Sequence, residues 1–365
     1  MKDTRIIKEL KEKFPQTDFW LDSMIEEDVK YAVRNGFLGI TTSPTITPKA
    51  IEAEGDVWKE MMRKYIEMHP DYNENEILWE CMYEASSQRA KLLLPIYDED
   101  GFNGRFCIQA NVFDYMNGRK IEKQAERIHA CGTNFMAKIP TTKGGIYAME
   151  EVIASGHSVM ATATSTVAQV KQACLAMYRG LQRRKEQGLS TKGIAMAVAM
   201  QLGLPEECYR VYTTENHVSI NPEALDYSSI AVAKKAYKMI QKEFPDVLFV
   251  LSNFTTELHW TEFMGGRIML TIAPKLISDM EAKDVILNRI DEEVPMEYIN
   301  QLLDKIPFYK YAYEEDLLEM ENFQYYEGFC RTMNHLMIKY EVALHTVRKE
   351  LAPDPYNRQT YKSSY

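Results

Sequence analysis

Eight short strand-like runs between Asp18 and Thr271, a helical pattern after nearly every one, and no glycine-rich phosphate loop behind the first predict a closed (β/α)8 barrel. Alternation of strand and helix means parallel strands joined by crossover helices, and eight such units suffice to close. An open, doubly wound parallel sheet is the alternative. The missing phosphate loop weighs against its dinucleotide-binding version.

The elements follow in order. The run Asp18–Asp22 (DFWLD) comes after Pro15, and Glu26–Asn35 is helical with Gly36 placed as a C-terminal cap. Leu38–Thr42 is the second strand, closed by Ser43-Pro44. Helices over Asp56–His69 and Glu74–Leu94 are separated by the turn His69-Pro70-Asp71. Arg105–Ala110 reads as strand, Arg119–Ala130 as helix, Asn134–Ile139 as strand and Gly144–Ala154 as helix. His157–Ala163 is the fifth strand and Val167–Gln187 a long helix. Thr191–Leu202 reads as a further helix, because Met and Ala dominate it and β-branched residues are few. The sixth strand then falls on Arg210–Thr214, and Leu181–Glu207 becomes an insertion around the fifth crossover. Ser229–Glu243 is helical, Val247–Leu251 strand, Thr256–Met264 helix and Ile268–Thr271 the last strand. One domain is expected: an N-terminal helix, a barrel over about 18–275, a helical extension over about 276–352 and a polar tail over 353–365. The extension is rich in Tyr and Met, including Tyr309, Tyr311, Tyr313, Tyr325 and Tyr326. Burying its own core is the first expectation for it; covering the barrel mouth or forming a homo-oligomer contact are the others.

Composition limits the function. The 365 residues are 45% apolar and 26% charged, enough for a sizeable core. The net charge is −10 and the basic residues are scattered, which argues against nucleic acid and anionic membrane surfaces as partners. An acidic surface gives a phosphorylated substrate no long-range attraction, so any anion site must be local. Cys81, Cys107, Cys131, Cys174, Cys208 and Cys330 form no CxxC and no metal-finger spacing, as in a reducing compartment. Met1–Phe14 is a charged amphipathic helix unlike a signal peptide, and no run is long and apolar enough to span a bilayer. A cytoplasmic protein is expected, with no metal and no cofactor.

Barrel chemistry sits where strands end. The polar residues there are Asp22, Thr42, Ser43, Gln109, Asn111, Lys138, Thr162, Thr164, Thr214, Glu215, Asn216, His217, Asn253 and Thr255. Lys138 stands apart, in the apolar run Phe135-Met136-Ala137-Lys138-Ile139-Pro140. An amine buried there must lose its charge or find a partner. The neutral amine is the form that attacks a carbonyl. A structural ion pair with Asp22 or Glu215 is the plainer alternative.

At this point the sequence resembles the transaldolase family. Asp22 in FWLDS, followed by Gly39-Ile40-Thr41-Thr42-Ser43-Pro44, is similar to its opening, an LDT-like strand and a TTNP turn. Met136–Thr142, continuing to Gly145-Ile146 and Ala148, is similar to the strand that carries a Schiff-base lysine. His157–Gln169 resembles the next strand, and Leu251–Thr255 with Gly265–Pro274 the last two. The resemblance implies that Lys138 forms an imine with a donor ketone and that Asp22 moves the proton of the hydroxyl beside the scissile bond. It also implies that Thr162 holds a proton-shuttling water. Gln109 stands where transaldolases proper carry glutamate and the fructose-6-phosphate aldolase subgroup glutamine. Glutamine can orient that water but cannot take its proton.

Three departures bear on substrate. Ser43 replaces the asparagine of the TTNP turn, a donor-binding residue in the resemblance. The sixth-strand run (SPF-x-G-R-like) is best placed on Val211–Val218, which sets His217 where a phosphate-binding arginine is expected. The seventh-strand run (ASFR-like) appears as Ser252–Thr255, with Thr255 in place of a second arginine. Loss of both forked donors implies a substrate without phosphate at the usual position, or another cation among Lys143, Arg267 and His217. Thr42, Ser43, Asn111, Thr164, Thr214, Glu215, His217, Asn253 and Thr255 are the candidate substrate-binding residues. The expected function is a metal-independent class I aldolase or transaldolase of carbohydrate metabolism, such as the pentose phosphate reactions, acting on a small ketose and an aldehyde. The competing readings are a catalytically silent sugar-binding or regulatory relative, and a metal-dependent lyase or isomerase on the same fold.

Overall fold

The computed structural model describes residues 3–283 and 285–352; the start of the N-terminal helix reading at Met1 and the polar tail over 353–365 lie outside the described residues. Eight strands close in chain order into a barrel, every neighbouring pair parallel: β1 (Thr17–Asp22), β2 (Gly39–Thr41), β3 (Arg105–Gln109), β4 (Phe135–Pro140), β5 (Val159–Thr164), β6 (Met196–Gln201), β7 (Val247–Ser252) and β8 (Ile268–Ile272). Among the described residues no helix is long and apolar enough to cross a membrane.

Two apolar clusters divide the strand residues by parity. Trp20, Cys107, Met136, Met160, Ala197, Ala199, Val250 and Met269 pack together inside the barrel. Their chain neighbours Phe19, Leu21, Phe106, Ile108, Ala137, Ala161, Val198, Phe249 and Leu270 belong to the larger cluster shared with the surrounding helices. This is the period-two alternation of a strand, applied to a wall with a packed interior and a helix-covered exterior.

Trp20 fills the lower interior because β2 begins with glycine. A Cβ on Gly39 would lie 2.4 Å from Cε2 of the Trp20 indole, which is 1% exposed and has nowhere to retreat. Gly39→Ala is therefore expected to destabilise the fold by about 1–3 kcal/mol, read as a lowered urea midpoint. An unchanged midpoint would mean that Trp20 does not plug the barrel.

The sixth strand corrects the sequence reading. Met196–Gln201 is β6, inside the segment read as helix, whereas Arg210–Thr214 lies within the helix Gly203–Glu215. No insertion interrupts the fifth crossover: the helix Val167–Glu186 and a short loop lead directly into β6. The physical reason is burial on both faces. Ala197 and Ala199 face the crowded interior and Val198 and Met200 the helices, so packing space outweighed the poor strand propensity of Ala. The helix read over Thr256–Met264 shortens to Leu258–Thr261.

The C-terminal segment both buries tyrosines and crosses the barrel mouth. Tyr309 and Tyr326 are buried, while Tyr325 is exposed. The final helix, Glu327–Leu351, packs on the end of β5, on the short turn Val112–Asp114 and on the helices Thr47–Ala53, Glu74–Ala90 and Gly203–Glu215.

Candidate active site

Two residues beyond the interior cluster, each strand presents its next inward side chain at the C-terminal end of the barrel. These side chains are Asp22, Thr41, Gln109, Lys138, Thr162, Gln201, Ser252 and Thr271, a wholly polar ring above an apolar floor. Lys138 and Asp22 are both in it. Gln109 and Lys138 are direct register partners, as are Asp22 and Thr41.

Lys138 is buried and 5% exposed. Among the described residues no carboxylate forms an ion pair with it. The contrast is Lys234, also buried, whose ammonium lies 2.9 Å from Glu262 and donates to two backbone carbonyls. Cys107, below Lys138 on β3, brings no charge, since burial pushes its thiol up to about 12. Glu215, the other partner weighed for Lys138, ends the helix Gly203–Glu215 and is exposed.

Asp22 accepts a hydrogen bond of 3.0 Å from Thr41 Oγ1. Desolvation raises its carboxyl above the ordinary range, opposed by the positive charge of Lys138, the Thr41 hydrogen bond and the more distant Lys49. A carboxyl shifted in this direction suits proton transfer nearer neutrality.

Several ring atoms have no partner. Both amide atoms of Gln109, Thr162 Oγ1 and Gln201 Oε1 are buried without a hydrogen bond among the described residues. Buried polar groups are normally satisfied, so unpaired ones gathered at one place mark a surface made for a ligand or solvent. Just past Thr162 the β5 register shifts by a bulge, and Ala163 takes φ 53°, a left-handed value that costs a residue with a Cβ.

The remaining candidates divide into two groups. Several stand near the mouth with side chains already engaged. Thr42 faces away from the interior and donates to the Cys107 carbonyl. Ser43 bonds Thr45, and Thr164 bonds Thr141. Asn111 caps the turn Val112–Asp114 and donates to Asn75. Asn253, at φ 60°, accepts from the Leu204 amide, so it holds the start of the helix after β6. Thr255 bonds His259, whose Nε2 lies 2.6 Å from Glu206 in a fully buried pair. Ser43, Gln109 and Asn111 share a small cavity with Trp79 and Tyr340.

Others lie away from the mouth, and this is a correction. Thr214, Glu215 and His217 are not at a strand end. Thr214 and Glu215 end the helix Gly203–Glu215, which runs back down the barrel from β6, His217 lies in the turn just past it, and Thr214 donates to the Arg210 carbonyl within the helix. Arg267 immediately precedes β8 and donates to the Pro245 carbonyl before β7, at the opposite face. Lys143 does start a helix at the mouth, but it is paired with Glu321 at 3.0 Å. The run that follows β6 is Leu202-Gly203-Leu204-Pro205-Glu206, so neither it nor the β7 run supplies an arginine.

Thr41, Gln201, Ser252 and Thr271 were missed by the sequence reading. The first needed the inward parity of Gly39 against Trp20, which only the fold reveals; the others needed the right β6 and the true ends of β7 and β8. Among the described residues, no group of three or more His, Cys, Asp or Glu could hold a metal ion.

A family model described as Transaldolase/Fructose-6-phosphate aldolase matches residues 19–324. Transaldolase 2 of Streptomyces avermitilis is 29% identical over 160 residues, 43% of this chain and 42% of that protein. Transaldolase of Acidothermus cellulolyticus is 26% identical over 222 residues, 57% of this chain and 55% of that one. Transaldolase of Neisseria gonorrhoeae is 23% identical over 237 residues, 62% and 64% of the two chains. The chain spans about half the length of the curated relatives it matches. Among solved structures, oxaloacetate acetylhydrolase in complex with the product oxalate aligns over 82% of this chain and 95% of that chain, at 10% identity and a TM-score of 0.29, too loose a superposition to bear on function.

Proposed function

The chain belongs to the transaldolase/fructose-6-phosphate aldolase family, and from that premise we propose that it makes and breaks a carbon–carbon bond beside a ketone through an imine on Lys138. The observation that carries this reading is a buried amine on the inner face of β4, without an ion-pair partner among the described residues, in the same polar ring as the Asp22 carboxyl.

The steps follow from the groups in the ring. Lys138 Nζ adds to the donor carbonyl, and the carbinolamine loses water to give an iminium. Thr162 and Gln109, with unpaired polar atoms, hold the water that carries protons in this step. Asp22 takes the proton from the hydroxyl beside the scissile bond. The bond electrons move to the iminium, an aldehyde leaves, and an enamine remains on Lys138. The enamine attacks an acceptor aldehyde, whose oxygen takes the proton back from Asp22, or it is protonated at carbon. In either case water hydrolyses the resulting iminium, releasing the ketone and the Lys138 amine. The transferred unit is of the dihydroxyacetone type.

We further propose that the substrate carries no phosphate at its far end. Gln201–Tyr209 and Ser252–Leu258, the stretches that leave β6 and β7, contain no Arg or Lys. Arg210 comes next, and it is held by Glu206 and Asp226.

Borohydride reduction in the presence of dihydroxyacetone or fructose tests the reading. The expected result is a covalent adduct on the peptide that contains Lys138. A protein left unmodified by every ketose offered would favour the silent sugar-binding alternative instead.

A further inference from the structure

The final helix Glu327–Leu351 buries a stripe along its length: Gly328, Phe329, Thr332, Met333, Leu336, Tyr340, Ala343, Leu344 and Val347. This spacing of three and four is that of an apolar helix face. Thr332 interrupts it. It is fully buried, yet its hydroxyl has no hydrogen-bond partner among the described residues. Helical threonines ordinarily return the hydroxyl to a carbonyl of the preceding turn. Thr213, Thr214, Thr261 and Thr346 all do so here, and Thr332 does not.

The position of the helix says what Thr332 faces. Gly328, one turn earlier on the same face, lies against Ser165 directly after β5; a Cβ there would be 3.1 Å from Ser165 Cβ. Tyr326 bonds Tyr209 at 2.9 Å, and Phe329 packs near Tyr115 in the loop after β3. Three turns further on, Tyr340 packs edge-on against Phe113 and lines the cavity that Gln109 and Ser43 share. The helix thus runs from the end of β5 to the ends of β3 and β2. Thr332 lies in its second turn, one turn on from Gly328 along the same buried face, and so beside Ser165 at the end of β5, three residues past Thr162. Ser165 is buried too, with its Oγ unpaired, although its backbone is fixed by a 2.9 Å bond to Gln169.

The geometry points to a subsite for the hydroxyls of an uncharged polyhydroxy chain, formed by Ser165 and Thr332 above the polar ring. It rests on the Schiff-base reading and extends it to the carbons beyond the donor unit. A hydroxyl donates and accepts, and so does each hydroxyl of a polyol, so the pairing is mutual. A phosphate dianion offers only acceptors and needs cations. Two cations along this edge are already engaged, Arg331 with Glu207 and Lys143 with Glu321.

The test is borohydride trapping of the full chain, titrated with dihydroxyacetone, fructose and fructose 6-phosphate, for wild type, Thr332→Val, Thr332→Ser and Ser165→Ala. Thr332→Val keeps the shape and removes the hydroxyl. It is expected to raise the half-saturating concentration of fructose about three- to tenfold while leaving that of dihydroxyacetone unchanged. Thr332→Ser should restore it, and Ser165→Ala should repeat the split. Wild-type titrations in the Thr332→Val and Ser165→Ala variants, or equal shifts for both ketoses, overturn the subsite and leave the Schiff base standing. So does tighter trapping by fructose 6-phosphate than by fructose. No trapping of the wild type by any of the three overturns the Schiff-base reading and the subsite with it.

Discussion

Lys138→Met is expected to lower carbon–carbon bond turnover by about 10⁴-fold or more and to leave no borohydride adduct with any ketose, while the protein stays folded. The two halves of this expectation come from the same feature. The amine is the nucleophile of the proposed reaction, and the rest of the ring has no group to replace it: Thr162 and Gln109 are uncharged, and the Cys107 thiol is held protonated by burial. The amine also forms no ion pair among the described residues; its removal takes away the charge that favours an ionised Asp22, which keeps its hydrogen bond from Thr41 and can take up a proton instead. Methionine fills a similar volume above Met136 and Met160, where the neighbouring side chains are already thioethers. Breaking a buried pair such as Lys234–Glu262 should behave in the opposite way, since it leaves a charge uncompensated. Activity near the wild-type level in Lys138→Met would end the Schiff-base proposal; a collapsed fold would show that the lysine is structural.

Seven of the eight strands were legible because their residues satisfy propensity and pattern together. Phe19, Trp20 and Leu21, or Val247 to Leu251, are β-branched, aromatic or large, and a turn bounds each run. β6 was illegible because its composition answers to the interior rather than to the strand. Trp20, Met136 and Met160 take up much of the space, and Ala197 and Ala199 are what still fits. That single misplacement moved every sixth-strand candidate: Thr214, Glu215 and His217 went to the end of a helix and the turn just past it, and Gln201 went unnoticed. The choice of Thr42 over Thr41 has a different cause. Both sit at the end of the same strand, and only the parity set by Gly39 beneath Trp20 tells which hydroxyl turns inward to Asp22. The closing helix was legible as a helix, but its course over the mouth was not, because Gly328 against Ser165 and Tyr340 against Phe113 are contacts between distant parts of the chain.

Asp22→Asn should separate activity from stability, moving them in opposite directions. Burial raises the Asp22 carboxyl above its ordinary value of 3.8, so the folded protein binds this proton more tightly than the unfolded chain does. The contribution to stability is complete below the unfolded value and is lost as pH rises through the raised, folded one. At neutral pH the wild type therefore carries the cost of an ionised carboxylate in a desolvated place, offset in part by Lys138 and Thr41. Asparagine has no proton to lose, and its amide oxygen still accepts from Thr41. The variant should melt above the wild type at pH 7, and the gap should close as the pH falls below the ordinary carboxylate range. Cleavage should fall by about 10²–10⁴-fold, the usual worth of a positioned base. Because Lys138 is untouched, imine formation should persist, so borohydride still captures the ketose on a variant that no longer splits it. A melting point below the wild type at pH 7 would mean that the carboxylate stabilises the fold. Normal cleavage would assign the proton to another group in the ring.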